Sequence, residues 1–116
     1  MSIATPQDAL YRIDKFVVPA ASLGEFAALV GRTHGILQRQ DGFVRDLVLE
    51  QVSGPGVFNV VTLVEWAEHR SYQAAVETIT RFHQEIGFDR SATVKRLGVE
   101  ADIGLYRESS RVDPNP

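Results

Sequence analysis

The chain has 116 residues, enough for one domain with a real hydrophobic core, and its 44% hydrophobic content is that of an ordinary globular protein. Twelve Lys and Arg against fifteen Asp and Glu leave a net charge of −3, which lacks the basic footprint of a nucleic-acid or anionic-membrane binder. There is no cysteine, so disulfides, thiolate metal sites and cysteine nucleophiles are excluded.

Residues 1–9 read as a loose leader without the charged and apolar regions of a signal peptide, which points to a cytoplasmic protein. No apolar run reaches membrane-spanning length. The first strand is expected over Leu10–Val18, with Pro19 ending it because proline cannot donate to a ladder. Ser22 and Glu25 have capping-box spacing and open a first helix that runs to about Gln40. Its inward stripe is Leu23, Phe26, Leu29, Val30, Thr33 and Leu37. Gly24, Gly31 and Gly35 fall on the other side, either as weak points of a marginal helix or as a place where another backbone comes close.

Asp41 and Gly42 form a stop and turn before a second strand over Phe43–Val52. A Ser-Gly-Pro-Gly turn at 53–56 leads to a third strand over Phe58–Trp66. That strand is apolar on both parities: Phe58, Val60, Val64 and Trp66 on one, Val61 and Leu63 on the other. A strand with one buried face alternates apolar and polar residues, so both faces of this one should be covered. Two helices suffice for one face. The other calls for a second copy of the chain, and a homodimer through the sheet face is expected, with Leu47 and Leu49 contributing.

A second long helix starts around Ala67–Ser71 and reaches Ile86, with Gly87 closing it. A short helix over Arg90–Leu97 ends at Gly98, and a last strand covers Ala101–Glu108. Residues 109–116 are polar and Pro-containing and read as a flexible tail. The order β-α-β-β-α-β, with one helical insert, predicts an α+β, ferredoxin-like fold: a four-stranded antiparallel sheet with two helices on one face.

Polar residues on inward positions are the candidates for chemistry. The second helix turns Tyr72, Ala75, Val76, Ile79, Phe82, His83 and Ile86 inward. His83 is either a core histidine with a satisfied partner or a base lining a cavity. Arg12 and Asp14 share a parity with Phe16 and Val18, so they form either a solvated strand end or a charge pair in the same space. Thr62 is the hydroxyl in the middle of the third strand, and Trp66 ends it. His34, His69 and His83 have no chelating spacing, and there is no dinucleotide or phosphate-loop fingerprint. No metal and no cofactor is therefore expected.

The chain resembles the antibiotic biosynthesis monooxygenase (ABM) family of dimeric α+β barrels over residues 10–108. The carriers are Phe16-Val-Val-Pro leading to Glu25-Phe26, Asp41-Gly42-Phe43 before the second strand, and Val64-Glu65-Trp66 followed by Tyr72. The resemblance implies a homodimer with facing sheets and a ligand pocket between sheet and helices. In quinol-oxidising members without cofactor, Trp66 and Tyr72 match a Trp and a Tyr of the site. The Asn of that site falls at Thr62, a departure, since a hydroxyl does not reproduce an amide's paired donor and acceptor. The Asn, Trp and His of haem-degrading members fall at Asp14, Ala75 and about Glu85, which argues against haem.

The expected function is a cofactor-independent, monooxygenase-like enzyme acting on a phenolic or quinol-like small molecule. Tyr72, Trp66 and His83 would hold or deprotonate the substrate, with Asp14 a second candidate base. Arg12, Thr62 and Phe82 would line the site. The alternative from another class is a non-catalytic dimeric module that binds a small apolar or aromatic ligand or serves assembly. An isomerase or lyase on the same pocket is a third.

Overall fold

The computed structural model describes residues 8–112. Most of the leader and the end of the tail lie outside these residues. Ala9, at the end of the expected leader, is buried.

The elements in order are β1 (Leu10–Val17), a 3-10 turn (Ala20–Ser22), α1 (Leu23–Leu37), β2 (Phe43–Glu50), β3 (Val60–Trp66), α2 (His69–Ile86), α3 (Arg90–Arg96) and β4 (Glu100–Tyr106). The strands form one antiparallel sheet in the order β2-β3-β1-β4. This is the ferredoxin-like α+β arrangement expected from the sequence.

Several boundaries differ for local reasons. α1 ends at Leu37 because the backbone N–H groups of Arg39 and Gln40 turn to the carbonyls of Ile36 and Leu37, three residues back. β3 starts at Val60 because the Asn59 amide clamps both backbone groups of Val18, each at 2.8 Å. The capping box also reads differently in space. Ser22 makes no side-chain cap and donates instead to the Leu97 carbonyl at 2.7 Å. Glu25 is taken by Arg96. The two residues that look like a helix start therefore fasten α3 to α1.

On the helix side, Phe16, Val18, Phe26, Val30, Val60, Leu97 and Val99 form one core cluster. Leu10, Val64, Trp66 and Ala75 form a second, with Leu37, Phe43 and Tyr72 packed on it. Trp66 is 1% exposed and meets the rings of Phe43 and Tyr72 edge to face, at 5.9 and 6.5 Å between centroids. On the opposite face, Val61 and Leu63 pair with Leu49 and Leu47, and no helix among the described residues covers them. Leu47 and Leu49 are 42% and 50% exposed. α1 shows no close approach at its glycines: a Cβ at Gly24, Gly31 or Gly35 would meet nothing within 4 Å.

Candidate functional site

The two core clusters do not touch everywhere. Between them, enclosed by the sheet, α1, α2 and the start of α3, lies a cavity of about 590 Å³. That is a size suited to a small organic ligand. By area its walls are mostly apolar, with polar side chains set among them. Three buried polar side chains, Asp14, His34 and Thr62, are found among the described residues, and all three line it.

β1 supplies Arg12 and Asp14 because its even positions face the helices together with Phe16. Their register partners on β3 are Val64, Thr62 and Val60. Arg12 Nε donates to Asp14 Oδ1 at 2.6 Å, and Nη2 donates to Oδ2 at 3.3 Å. Arg12 Nη1 donates to the Tyr72 hydroxyl oxygen at 2.9 Å. Burial works to lower the guanidinium pKa, but the hydrogen bond and charge of Asp14, with Tyr72, outweigh it and hold the pKa above the ordinary value. The Tyr72 oxygen accepts from Arg12, so its own hydrogen is left to donate elsewhere. Thr62 Oγ1 faces the same space and makes no hydrogen bond among the described residues.

Tyr72 and His83 both line the cavity from α2, but eleven residues of helix separate them by about 16 Å. They mark opposite ends and do not converge on one atom. His83 packs on Phe88 with ring centroids 4.9 Å apart. Burial, and then the charge of Arg90, lower its pKa, so its imidazole is neutral near pH 7. The lower half of α2 is less covered than its stripe suggests. Of the residues expected to turn inward, Ala75 alone is buried, while Val76, Phe82 and Ile86 are exposed. Phe82 is a correction: it does not line the cavity but a second, shallower groove beside α1.

The residue not singled out from the sequence is His34. It lies on α1 between Val30 and Leu37 and is buried. Its Nδ1 sits 2.8 Å from Asp46 Oδ2, and the same oxygen accepts from Gln38 Nε2 at 3.1 Å. Helical spacing carried half of this signal, since His34 follows Val30 by four residues. The other half was hidden by β2. Simple alternation from Phe43 turns Asp46 outward, but an irregularity between Phe43 and Arg45 shifts the register and turns it inward, opposite Val64.

No family model matches the chain, and no curated protein matches it. Solved structures do. SnoaB, a cofactor-independent oxygenase from Streptomyces nogalater, is 21% identical with a TM-score of 0.67, covering 94% of this chain and 99% of that one. MhuD, a haem degrader from Mycobacterium tuberculosis solved with two haems in its active site, is 16% identical with a TM-score of 0.65, covering 90% and 99%. A conserved protein from Methanosarcina mazei Go1 is 18% identical with a TM-score of 0.62, covering 90% and 96%. At these identities the likeness is one of fold, and the chain has the α+β fold of the ABM-type monooxygenases. No helix among the described residues is long and apolar enough to cross a membrane.

Proposed function

We propose that this protein is a cofactor-independent oxygenase acting on a phenolic or quinol-like small molecule, and that it works as a homodimer paired through the open face of its sheet. One observation carries the reading: every buried polar side chain among the described residues opens onto one apolar cavity of ligand size. Burying such groups costs free energy unless they are partnered, and clustering them in a cavity is the pattern of a binding site rather than of a core. The fold shared with SnoaB, itself a cofactor-independent oxygenase, supports the same class.

The chemistry asks little of the protein. A phenol that loses its proton becomes electron-rich enough to reduce oxygen directly. A phenol with a free ring position para to its hydroxyl would give a quinone and water. The ring supplies four electrons, one oxygen atom enters it, and the other leaves as water. The site supplies a base, donors for developing negative oxygen and exclusion of water. Tyr72, aligned by Arg12, is the donor at one end. Asp14 is a weaker candidate as base than its position suggests, because both carboxylate oxygens accept from Arg12. Thr62 stands beside Asp14 on the floor and offers a hydroxyl to a ligand oxygen.

Haem is not part of this proposal. Of the positions that correspond to the haem-site residues, Asp14 is held in an ion pair, Ala75 is a buried methyl group packed with Trp66, and Glu85 is exposed on the helix surface.

The test is turnover of 1-naphthol under oxygen-18. The expected product is 1,4-naphthoquinone with one labelled oxygen, formed at the same rate with and without a chelator. A second reading, a ligand-binding module, is favoured by the hydroxyl of Thr62 where the quinol oxidisers carry an amide. Tight binding of naphthols and quinols with no oxygen uptake would select it.

A further inference from the structure

We infer that His34, held by Asp46, is the proton acceptor of the cavity, and that it takes the proton from a phenolic hydroxyl of the substrate. The inference rests on the phenol reading above and names the residue that performs its first step.

The His34 side chain is 9% exposed, and its Nδ1 faces the Asp46 carboxylate at 2.8 Å. An ionised carboxylate only accepts hydrogen bonds, so the proton of the neutral ring sits on Nδ1 and the lone pair on Nε2. Gln38 steadies the same carboxylate oxygen from the next turn of α1. Nε2 makes no hydrogen bond among the described residues. Yet no fully buried side-chain nitrogen or oxygen there lacks a partner. Nε2 is therefore accessible, and the cavity is the space that His34 lines. A base within reach, fixed in tautomer and orientation by a carboxylate behind it, is the arrangement proton abstraction requires.

The other two candidates fit less well. The carboxylate of Asp14 is occupied by Arg12. His83 makes no ion pair with a carboxylate among the described residues and stands at the far end of α2 from Tyr72. The sheet register also gives the substrate a direction. Asp46, Val64 and Arg12 form one row across β2, β3 and β1, so the base holder and the Arg12–Tyr72 pair lie about 10 Å apart with Val64 between them. An aromatic ring lying over Val64 presents one edge to His34 and the other to the Tyr72 hydroxyl. That geometry selects a ring with oxygen functions on opposite edges, as in a phenol becoming a para-quinone. In the step itself the substrate O–H bond breaks, an N–H bond forms at Nε2, and the electron pair stays on oxygen as the phenolate.

The experiment uses 4-nitrophenol, whose anion absorbs visible light and whose neutral form does not. It is bound to the purified full chain at a pH below the phenol's own ionisation. Wild type is expected to bind the anion, and His34→Gln the neutral phenol. Asp46→Asn, which keeps the side-chain shape, should lower the ratio of bound anion to neutral phenol about tenfold, and it carries the same test if His34→Gln fails to fold. In turnover, His34→Ala should lose about 100-fold in kcat/KM for 1-naphthol and regain part of it with added imidazole. Wild type binding only neutral phenol, or variants that keep the anion undiminished, would overturn the role of His34 and leave the phenol reading standing. No binding of any phenol would overturn that reading itself. Haem binding with a visible absorption band lost in His34→Gln would assign the imidazole to iron instead.

Discussion

Arg12 and Tyr72, sixty residues apart in the chain, meet at 2.9 Å at one end of the cavity and tie the first strand to the second helix. The guanidinium donates, so the phenol is held with its oxygen toward Arg12. Tyr72→Phe removes that acceptor while keeping the ring that packs on Trp66. We expect a stability loss of about 1.5 kcal/mol, at the low end for a charged hydrogen bond because Arg12 is partly solvated. Naphthol binding should weaken about tenfold, which titration calorimetry would read. Unchanged binding would remove Tyr72 from the site.

Trp66 is the anchor of the second core cluster. Trp66→Ala should cost roughly 3–5 kcal/mol, as the loss of a large buried aromatic does. Denaturant unfolding must be followed by circular dichroism, because the variant has no tryptophan left. A loss below about 1 kcal/mol would mean that the indole is not load-sharing with Phe43 and Ala75.

The open sheet face makes an assembly prediction. Sedimentation should find a dimer, and Leu63→Asp should give a monomer or an unfolded chain, because a charge placed there is buried without a partner. A stable wild-type monomer would end the proposal of face-to-face pairing.

His83 predicts a pH effect of defined sign. Its pKa is lowered in the folded chain by burial and by Arg90, while in the unfolded chain it returns to an ordinary value of about 6.5. Between the two values the unfolded chain binds more protons. The contribution is thus neutral above the ordinary value, and stability is lost as pH falls from there through the folded pKa. Plots of stability against pH for wild type and His83→Gln should differ in slope only within that window and run parallel above and below it. Parallel curves throughout would mean that His83 is not perturbed.

Two glycine substitutions should have opposite signs. Gly42 has a φ of 82°, and a Cβ there would overlap the Ser71 side chain. Gly42→Ala should destabilise by at least about 1 kcal/mol. Gly31→Ala lies inside α1 with open space around it and should stabilise by roughly 0.5–1 kcal/mol. Thermal melts of the two variants decide it.

The fold was legible because its carriers are periodic. The apolar run of β3, its turn before it, and the spacing of Phe26 and Val30 identify elements without knowledge of their partners. The two-sided apolarity of Val61 and Val64 likewise reports a sheet with one face left over. The site was legible only where polarity broke such a pattern, as at Arg12, Asp14 and Thr62. It was not legible where a tertiary partner decided the role. Ser22 and Glu25 carry a local signature, yet α3 claims both. Phe82 has the right helical angle, but helical angle alone does not say which of two neighbouring hollows a side chain lines. His34 needed Asp46, and no periodic rule places Asp46.

That last residue depends on a one-residue irregularity. Phe43 pairs with Trp66 and Asp46 with Val64, so an odd number of steps joins two positions on the same side of the sheet. Val44 is the extra residue that makes this possible. Deleting it would change one exposed apolar side chain in composition terms, yet it would invert the phase of everything from Arg45 to Glu50. Leucines would turn toward His34, and a carboxylate would turn toward the face proposed to meet a second chain. β2 is thus a stretch of sequence in which frame matters more than identity. Conservative exchanges of Leu47 or Leu49 should be absorbed, whereas a single insertion or deletion in the five residues after Gly42 would take Asp46 from His34 and the leucines from the open sheet face in one event.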